Sequence, residues 1–208
     1  MYITPERLFL EDLGKFGRKV GMICVDEIHC ASEWSHNFRP TYLMLHQMIK
    51  EKLGKNTRIL GLTATATRST QKHICSLFDI KYPQNLVTQL DLSRLNLQLS
   101  ITRDSEKTKA LITLMRTDVY KKLNSILIYA TTRATTDQIA AYLNQQGITA
   151  ASYHAGKTED QRTYIQKQFC ANQVKVLCCT IAFSMGIDKQ DIQSVIHYDL
   201  PRSIENYV

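Results

Sequence analysis

GMICVDEIHC, residues 21–30, is the stretch whose reading decides the fold. Met22 to Val25 form a short apolar run that ends abruptly in Asp26, Glu27 and His29. A run that short and that apolar predicts a strand buried on both faces of a sheet. Its acidic pair then falls just past the strand's carboxyl end, where open α/β sheets bind ligands. Two carboxylates in that position suit nucleotide hydrolysis: one can hold a magnesium ion that bridges phosphates, the other can orient or deprotonate water. A polar turn after a buried strand would use the same letters, so the rest of the chain has to decide.

Working outward, apolar runs of strand length alternate with helix-period segments. Strands are expected at 1–4, 21–25, 58–62, 86–90, 97–102, 125–130, 148–153, 174–179 and 194–198. Tyr42, Leu45, Ile49 and Leu53 recur at helical spacing, as do Leu111, Leu114, Met115, Val119 and Leu123 across 106–123. Thr135 with Gln138 and Thr158 with Gln161 each fit a capping box that starts a helix. Such alternation predicts parallel sheets covered on both faces. Polar residues cluster at 91–96 between two strand candidates, which divides the chain into 1–92 and 93–208 with a ligand cleft between two α/β layers.

Composition bounds the function. The 208 residues are 44% hydrophobic, enough for real cores, and a net charge of +7 favours a polyanionic partner. The basic residues are dispersed, so any binding surface must be assembled by folding. Six cysteines without a CxxC pair read as reduced thiols of an intracellular protein. No signal peptide leads the chain, and no apolar stretch approaches the about 20 residues of a membrane span. The reading is a soluble protein with no membrane contact.

Three further stretches carry chemistry. CASEWSHNFRPTY, residues 30–42, holds the only tryptophan, with Phe38 and Arg39, and lacks regular periodicity. Aromatic and basic side chains in such a loop can stack on unpaired bases, or Trp34 and Phe38 can fold back as core plugs. Cys24, His29, Cys30 and His36 match no standard zinc spacing. ILGLTATAT, 59–67, ends a strand in small hydroxyl residues suited to relaying movement. SILIYATTR (125–133) and CCTIAFSMGID (178–188) again run from a strand into Thr, Ser or Gly plus Arg133 or Asp188, good phosphate contacts. ASYHAGKT, 151–158, loosely fits a phosphate loop, but a single glycine, Gly156, makes strand, turn and a Thr158 helix cap the better account.

The ordered set YITPERL, VDEIH, CASEWSHNFRPTY, GLTATAT, SILIYATTR, YHAG and TIAFSMGID resembles the RecQ family of superfamily 2 DNA helicases across almost the whole chain. Ser35 and Asn37, where most relatives carry Gly and Asp, resemble the Rothmund–Thomson branch. The resemblance implies two RecA-like parallel-sheet domains, both incomplete here: 1–92 as the later part of the first and 93–208 as most of the second. It implies 3′ to 5′ unwinding of DNA driven by ATP, in replication or repair, with single-stranded DNA and duplex junctions as partners and a nuclear location. Asp26 is implied as the Mg2+ ligand, Glu27 as the catalytic base, and His29, Thr63 and Thr65 as links to DNA sensing. Trp34, Phe38 and Arg39 match the family's aromatic-rich loop. Thr132, Arg133 and Thr180 match motifs that touch DNA, and Gly186 and Asp188 motifs that close on nucleotide. The family's phosphate loop and arginine-finger motif would lie ahead of Met1 and beyond Tyr207, so the chain alone is expected to be inactive. The alternative is a truncated helicase that binds nucleic acid without turnover. Ile28 departs from the family's usual alanine, as do Ser184 from glycine and Gln190 from proline. Added bulk at Ile28 requires repacking, at about 1–3 kcal/mol if unrelieved.

Overall fold

In a computed structural model that describes residues 2–10, 20–32, 39–53, 57–64, 66–80, 95–183, 189–201 and 207, GMICVDEIHC becomes strand β1, Met22–Val25, and a turn into a 3-10 helix, Ile28–Ala31. The chain divides into two compact units, Met1–Leu95 and Asn96–Arg202.

In the first unit, α1 (Pro5–Leu10) starts where Thr4 Oγ1 accepts the Arg7 amide at 3.3 Å. Residues 2–4, expected as a strand, serve as this lead-in: Pro5 has its φ preset for a first helical turn. The helical pattern over 41–53 is met by two helices, α2 (Pro40–Leu43) and α3 (Leu45–Leu53), with a break at Met44. Strand β2 (Arg58–Gly61) pairs in parallel with β1, and α4 (Arg68–Leu77) follows, its first turn capped by Thr67. Val25, Ile28, Leu45, Ile49, Ile74 and Phe78 close one core.

The expected two-sided burial of β1 is not found. Met22 is 59% exposed and Leu60 of β2 45%, while Ile23 and Val25 turn inward. The helices α1 to α4 contribute to a core on one side of this two-stranded sheet, and among the described residues no layer covers the other.

The second unit opens with residues 96–106, which carry no helix or strand. A strand was expected at 97–102, but Leu97, Leu99 and Ile101 are exposed and pair with no described strand. The strand expected at 86–90 lies outside the described residues. The 106–123 pattern splits into α5 (Lys107–Met115) and α6 (Asp118–Lys122), because Thr117 caps a new helix through its side chain. Then come β3 (Ile126–Tyr129), α7 (Arg133–Gln145), β4 (Ala150–Tyr153), α8 (Glu159–Cys170), β5 (Val176–Cys179), a 3-10 turn Ile181–Phe183 and β6 (Ser194–His197).

Here two-sided burial holds. The sheet is parallel throughout, in the order β4-β5-β3-β6. Alternate residues of the central strands feed separate cores, as the period of two demands. Ile126, Ile128, Val176 and Cys178 meet α5 and α7 through Leu111, Ile112, Ile139 and Leu143. Leu127, Leu177 and Cys179 face Phe169 of α8 and Phe183. Desolvation pushes the Cys178 thiol up to about 12, consistent with a small hydrophobe.

Both capping predictions can be read off the termini. Thr158 and Gln161 form a reciprocal capping box at α8. Helix α7 instead starts three residues earlier than Thr135: Thr132 is the cap and accepts the Thr135 amide at 3.0 Å.

Candidate functional site

The acidic pair is shaped by the strand pairing beneath it. Past the ends of β1 and β2 the ladder runs on, with the Leu62 amide donating to Val25 O and the Ile28 amide to Leu62 O, each at 2.9 Å. These bonds leave Asp26 and Glu27 as a tight corner. Glu27 takes a left-handed φ of 50° and its amide donates to Asp26 Oδ1 at 3.0 Å. A left-handed non-glycine residue is costly and recurs at functional corners. Asp26 stays exposed at the strand's carboxyl end, while Ile28, His29 and Cys30 are buried.

His29 ties this corner to the neighbouring segment. Its Nδ1 lies 2.8 Å from Thr63 Oγ1 and 3.1 Å from Glu27 Oε2. One buried ring therefore spans the acidic pair and the hydroxyl segment. The same turn reaches α4 through Ser32 Oγ, 2.9 Å from His73 Nδ1.

Ile28 fills space that a glycine leaves. It is 5% exposed, and a Cβ added to Gly61 would meet Ile28 Cδ1 at 2.4 Å. The bulk of Ile28 is thus accommodated against bare backbone in β2.

Arg39 is held by residues of its own unit. It pairs with Glu6, sits 5.4 Å over the Tyr42 ring, and its amide donates to Cys30 O at 2.9 Å. Glu6 also accepts from Thr41 at 3.0 Å. Bonding to its own backbone amide, helped by Thr41 and Arg39, holds the Glu6 carboxyl below its usual range against the opposing effect of burial. Trp34, Phe38 and Thr65 lie outside the described residues, as do Gly186 and Asp188.

In the second unit the parallel sheet brings the carboxyl ends of four strands to one edge. Thr132 and Arg133 follow β3, and Thr180 follows β5. Thr180 starts the 3-10 turn: its carbonyl accepts the Phe183 amide at 3.1 Å, and its own amide donates to Tyr153 O at 3.3 Å. The turn after β4 is no phosphate cradle, since Lys157 Nζ points to Asp137 Oδ1 at 3.4 Å and Thr158 is a helix cap.

Two carboxylates on this edge were not singled out from the sequence. Asp137 accepts from Ser152, His154 and Lys157. Asp199 accepts the Thr131 amide at 2.9 Å and the Lys107 ammonium at 3.1 Å. Asp137 had a local signal, four residues after Arg133 on one helix face. Asp199 had none, because its partners lie 68 and 92 residues away.

A DEAD/DEAH box helicase family model matches residues 1–74, and the helicase conserved C-terminal domain model matches 106–208. Over 212 residues the chain is 39% identical to ATP-dependent DNA helicase Q-like 5 of Arabidopsis thaliana, covering 100% of this chain and 23% of that protein. It is 37% identical to human ATP-dependent DNA helicase Q4, over 91% of this chain and 17% of that one. ATP-dependent DNA helicase RecQ of Pasteurella multocida is 34% identical over 100% of this chain and 32% of its own length. The chain belongs to the RecQ-like DEAD/DEAH-box helicase family. It spans between 17% and 32% of these three relatives.

Solved structures of this RecQ-like chain's fold include S. cerevisiae Dbp5 bound to RNA and ADP BeF3. That likeness has a TM-score of 0.63 at 19% identity, over 95% of this chain and 50% of that one. Mycobacterium smegmatis helicase Lhr bound to ssDNA and AMP-PNP gives 0.58 at 16%, over 93% and 27%. At those identities the likeness establishes the α/β fold with parallel sheets. Among the described residues no helix is long and apolar enough to cross a membrane.

Proposed function

We propose that this RecQ-like segment forms part of the core of an ATP-dependent DNA helicase that unwinds DNA with 3′ to 5′ polarity. The observation that carries the reading is His29 Nδ1, within bonding reach of both Glu27 and Thr63. It gives the acidic pair a physical route to the hydroxyl segment, which coupled hydrolysis requires and a simple polar turn does not.

In this reading Glu27 orients or deprotonates the attacking water, and His29 holds its carboxylate. The residues present fit a magnesium ion: Asp26 is an exposed, hard oxygen donor, and magnesium takes one or two carboxylates together with substrate phosphates. Bound there, the ion supplies neutralisation of the phosphate charge. Thr132, Arg133 and Thr180, gathered at one sheet edge, meet nucleic-acid phosphate. Trp34, Phe38 and Thr65 keep their family-implied roles in DNA coupling, Gly186 and Asp188 theirs in closing on nucleotide. Arg39 acts through the loop it anchors, because its guanidinium is engaged by Glu6. Junction-containing DNA, work in replication or repair, and a nuclear location belong to the same reading.

The 208 residues contain no GxxxxGKS or GxxxxGKT phosphate loop. Phosphoryl transfer is catalysed almost wholly by positioning and electrostatics, so the segment alone should not turn over ATP. In a longer chain that also carries a phosphate loop, Glu27→Gln should abolish DNA-stimulated ATP hydrolysis and leave single-stranded DNA affinity within about twofold. Turnover in Glu27→Gln at the unaltered rate would remove Glu27 from the chemistry. No turnover in the parent longer chain would favour a helicase-derived protein that binds nucleic acid without hydrolysis.

A further inference from the structure

Arg133 and Asp137 stand four residues apart on α7, the spacing at which an arginine and an acid pair along a helix face. They do not pair. Asp137 is taken up from the other side, by Ser152 Oγ of β4 and by His154 Nε2 at 3.1 Å to both carboxylate oxygens. Lys157 Nζ joins at 3.4 Å. His154 is 6% exposed, and its Nδ1 accepts the Gly156 amide at 3.2 Å. One carboxylate thereby ties the helix to the whole turn 154–157.

That turn lies against Arg133. A Cβ built on Gly156 would meet Arg133 Cδ at 3.2 Å and His154 Nδ1 at 3.1 Å, tighter than ordinary contact. The bare Gly156 backbone thus forms a floor for the aliphatic stem of the arginine. Among the described residues the Arg133 guanidinium has no ion pair, and the side chain is exposed.

We propose that Asp137 is a positioning residue: by engaging Ser152, His154 and Lys157 it seats the 154–157 turn under Arg133 and leaves that guanidinium for a nucleic-acid phosphate. The proposal rests on the reading of Arg133 as a phosphate contact. It goes against simple electrostatics, which makes it testable. Replacing Asp137 by asparagine removes a negative charge and frees Lys157, and charge alone predicts tighter binding to a polyanion.

The test is binding of a fluorescent single-stranded oligonucleotide to the full 208-residue chain over a salt series. Each lost phosphate contact lowers the slope of log K against log salt by about 0.7 for single strands. Arg133→Ala and Asp137→Asn should each weaken binding roughly fivefold and lower the slope by that amount, and the double variant should lose no more than either alone. Gly156→Ala, which leaves Asp137 itself unaltered but crowds Arg133 Cδ and the His154 ring, should behave alike and serves if Asp137→Asn does not fold. A lower affinity with an unchanged slope would mean that Asp137 only stabilises the unit, and the proposal fails. It fails also if Asp137→Asn binds as tightly as the parent or tighter. If Arg133→Ala leaves affinity and slope unaltered, the phosphate contact itself is wrong and the proposal falls with it.

Discussion

Ile28 shows how a single departure from a family pattern is absorbed. The side chain sits in the first unit's core, and the room for it comes from Gly61, one strand across. Ile28→Ala should therefore leave a cavity and cost about 2–4 kcal/mol in urea unfolding. Gly61→Ala should also destabilise, because its methyl would sit 2.4 Å from Ile28 Cδ1 and 3.0 Å from its Cγ2. Combined, the two should be less damaging than their sum, since the new methyl enters the space vacated. Additive losses would show that the two residues do not share that space. At this scale the acidic corner was readable from residue types alone. The geometry that gives it meaning, with Glu27 left-handed and 3.1 Å from His29, includes a His29 bond to Thr63, 34 positions further along.

At the level of elements, the ends of β3, β4 and β6 in the second unit are fastened by two aspartates. Burial works to raise the Asp199 carboxyl, but the Thr131 amide and hydroxyl and the Lys107 ammonium outweigh it and hold it below its ordinary value of 3.8. Burial opposes Asp137 too, and is outweighed by Ser152, His154 and Lys157, so it is likewise lowered from 3.8. A lowered carboxyl binds protons more weakly in the folded state than in the unfolded one. Its contribution is present above pH 3.8 and is lost as the pH falls through the folded value. Acid titration of unfolding should thus show a steep loss of stability below about pH 4 for the second unit, and Asp199→Asn or Asp137→Asn should each flatten that limb. An unchanged acid limb in both variants would show that neither bond network favours the folded state. Elements were legible where local signals sufficed. The Thr158 and Gln161 box is closed by neighbours three residues apart, whereas the 97–102 alternation gave a strand pattern that no described partner completes. A strand is a pairing, and alternation describes only one side of it.

For the whole molecule, each unit carries cores of its own. Residues 95–106 between the last element of one and the first of the other are without helix or strand, and Arg103 is exposed. Brief trypsin treatment should cut first after Arg103. The released C-terminal piece, which holds all of β3 to β6, should unfold cooperatively when followed by circular dichroism. First cuts within α7 or α8, or a piece without a cooperative transition, would contradict independent units. The net charge of +7 is spread along the chain, so its use in binding depends on which residues folding gathers.

What the sequence determined by itself was local and periodic. Parallel α/β layering follows from strand-length apolar runs alternating with helical ones, and the Asp26–Glu27 pair at a strand end follows from where one such run stops. Helix starts at Thr158 and the turn at 154–157 follow from side chains that bond within a few residues. What only the tertiary structure decided was exposure and partnership. Burial of β5 on both faces, and of β1 on one, depends on which helices cover each sheet, and β1 carries no mark of its bare side. Glu27 meets Thr63 through His29, Ile28 meets Gly61, and Asp137 gathers the turn after β4, because parallel pairing sets distant strand ends beside one another. Sequence spacing carries no record of that adjacency.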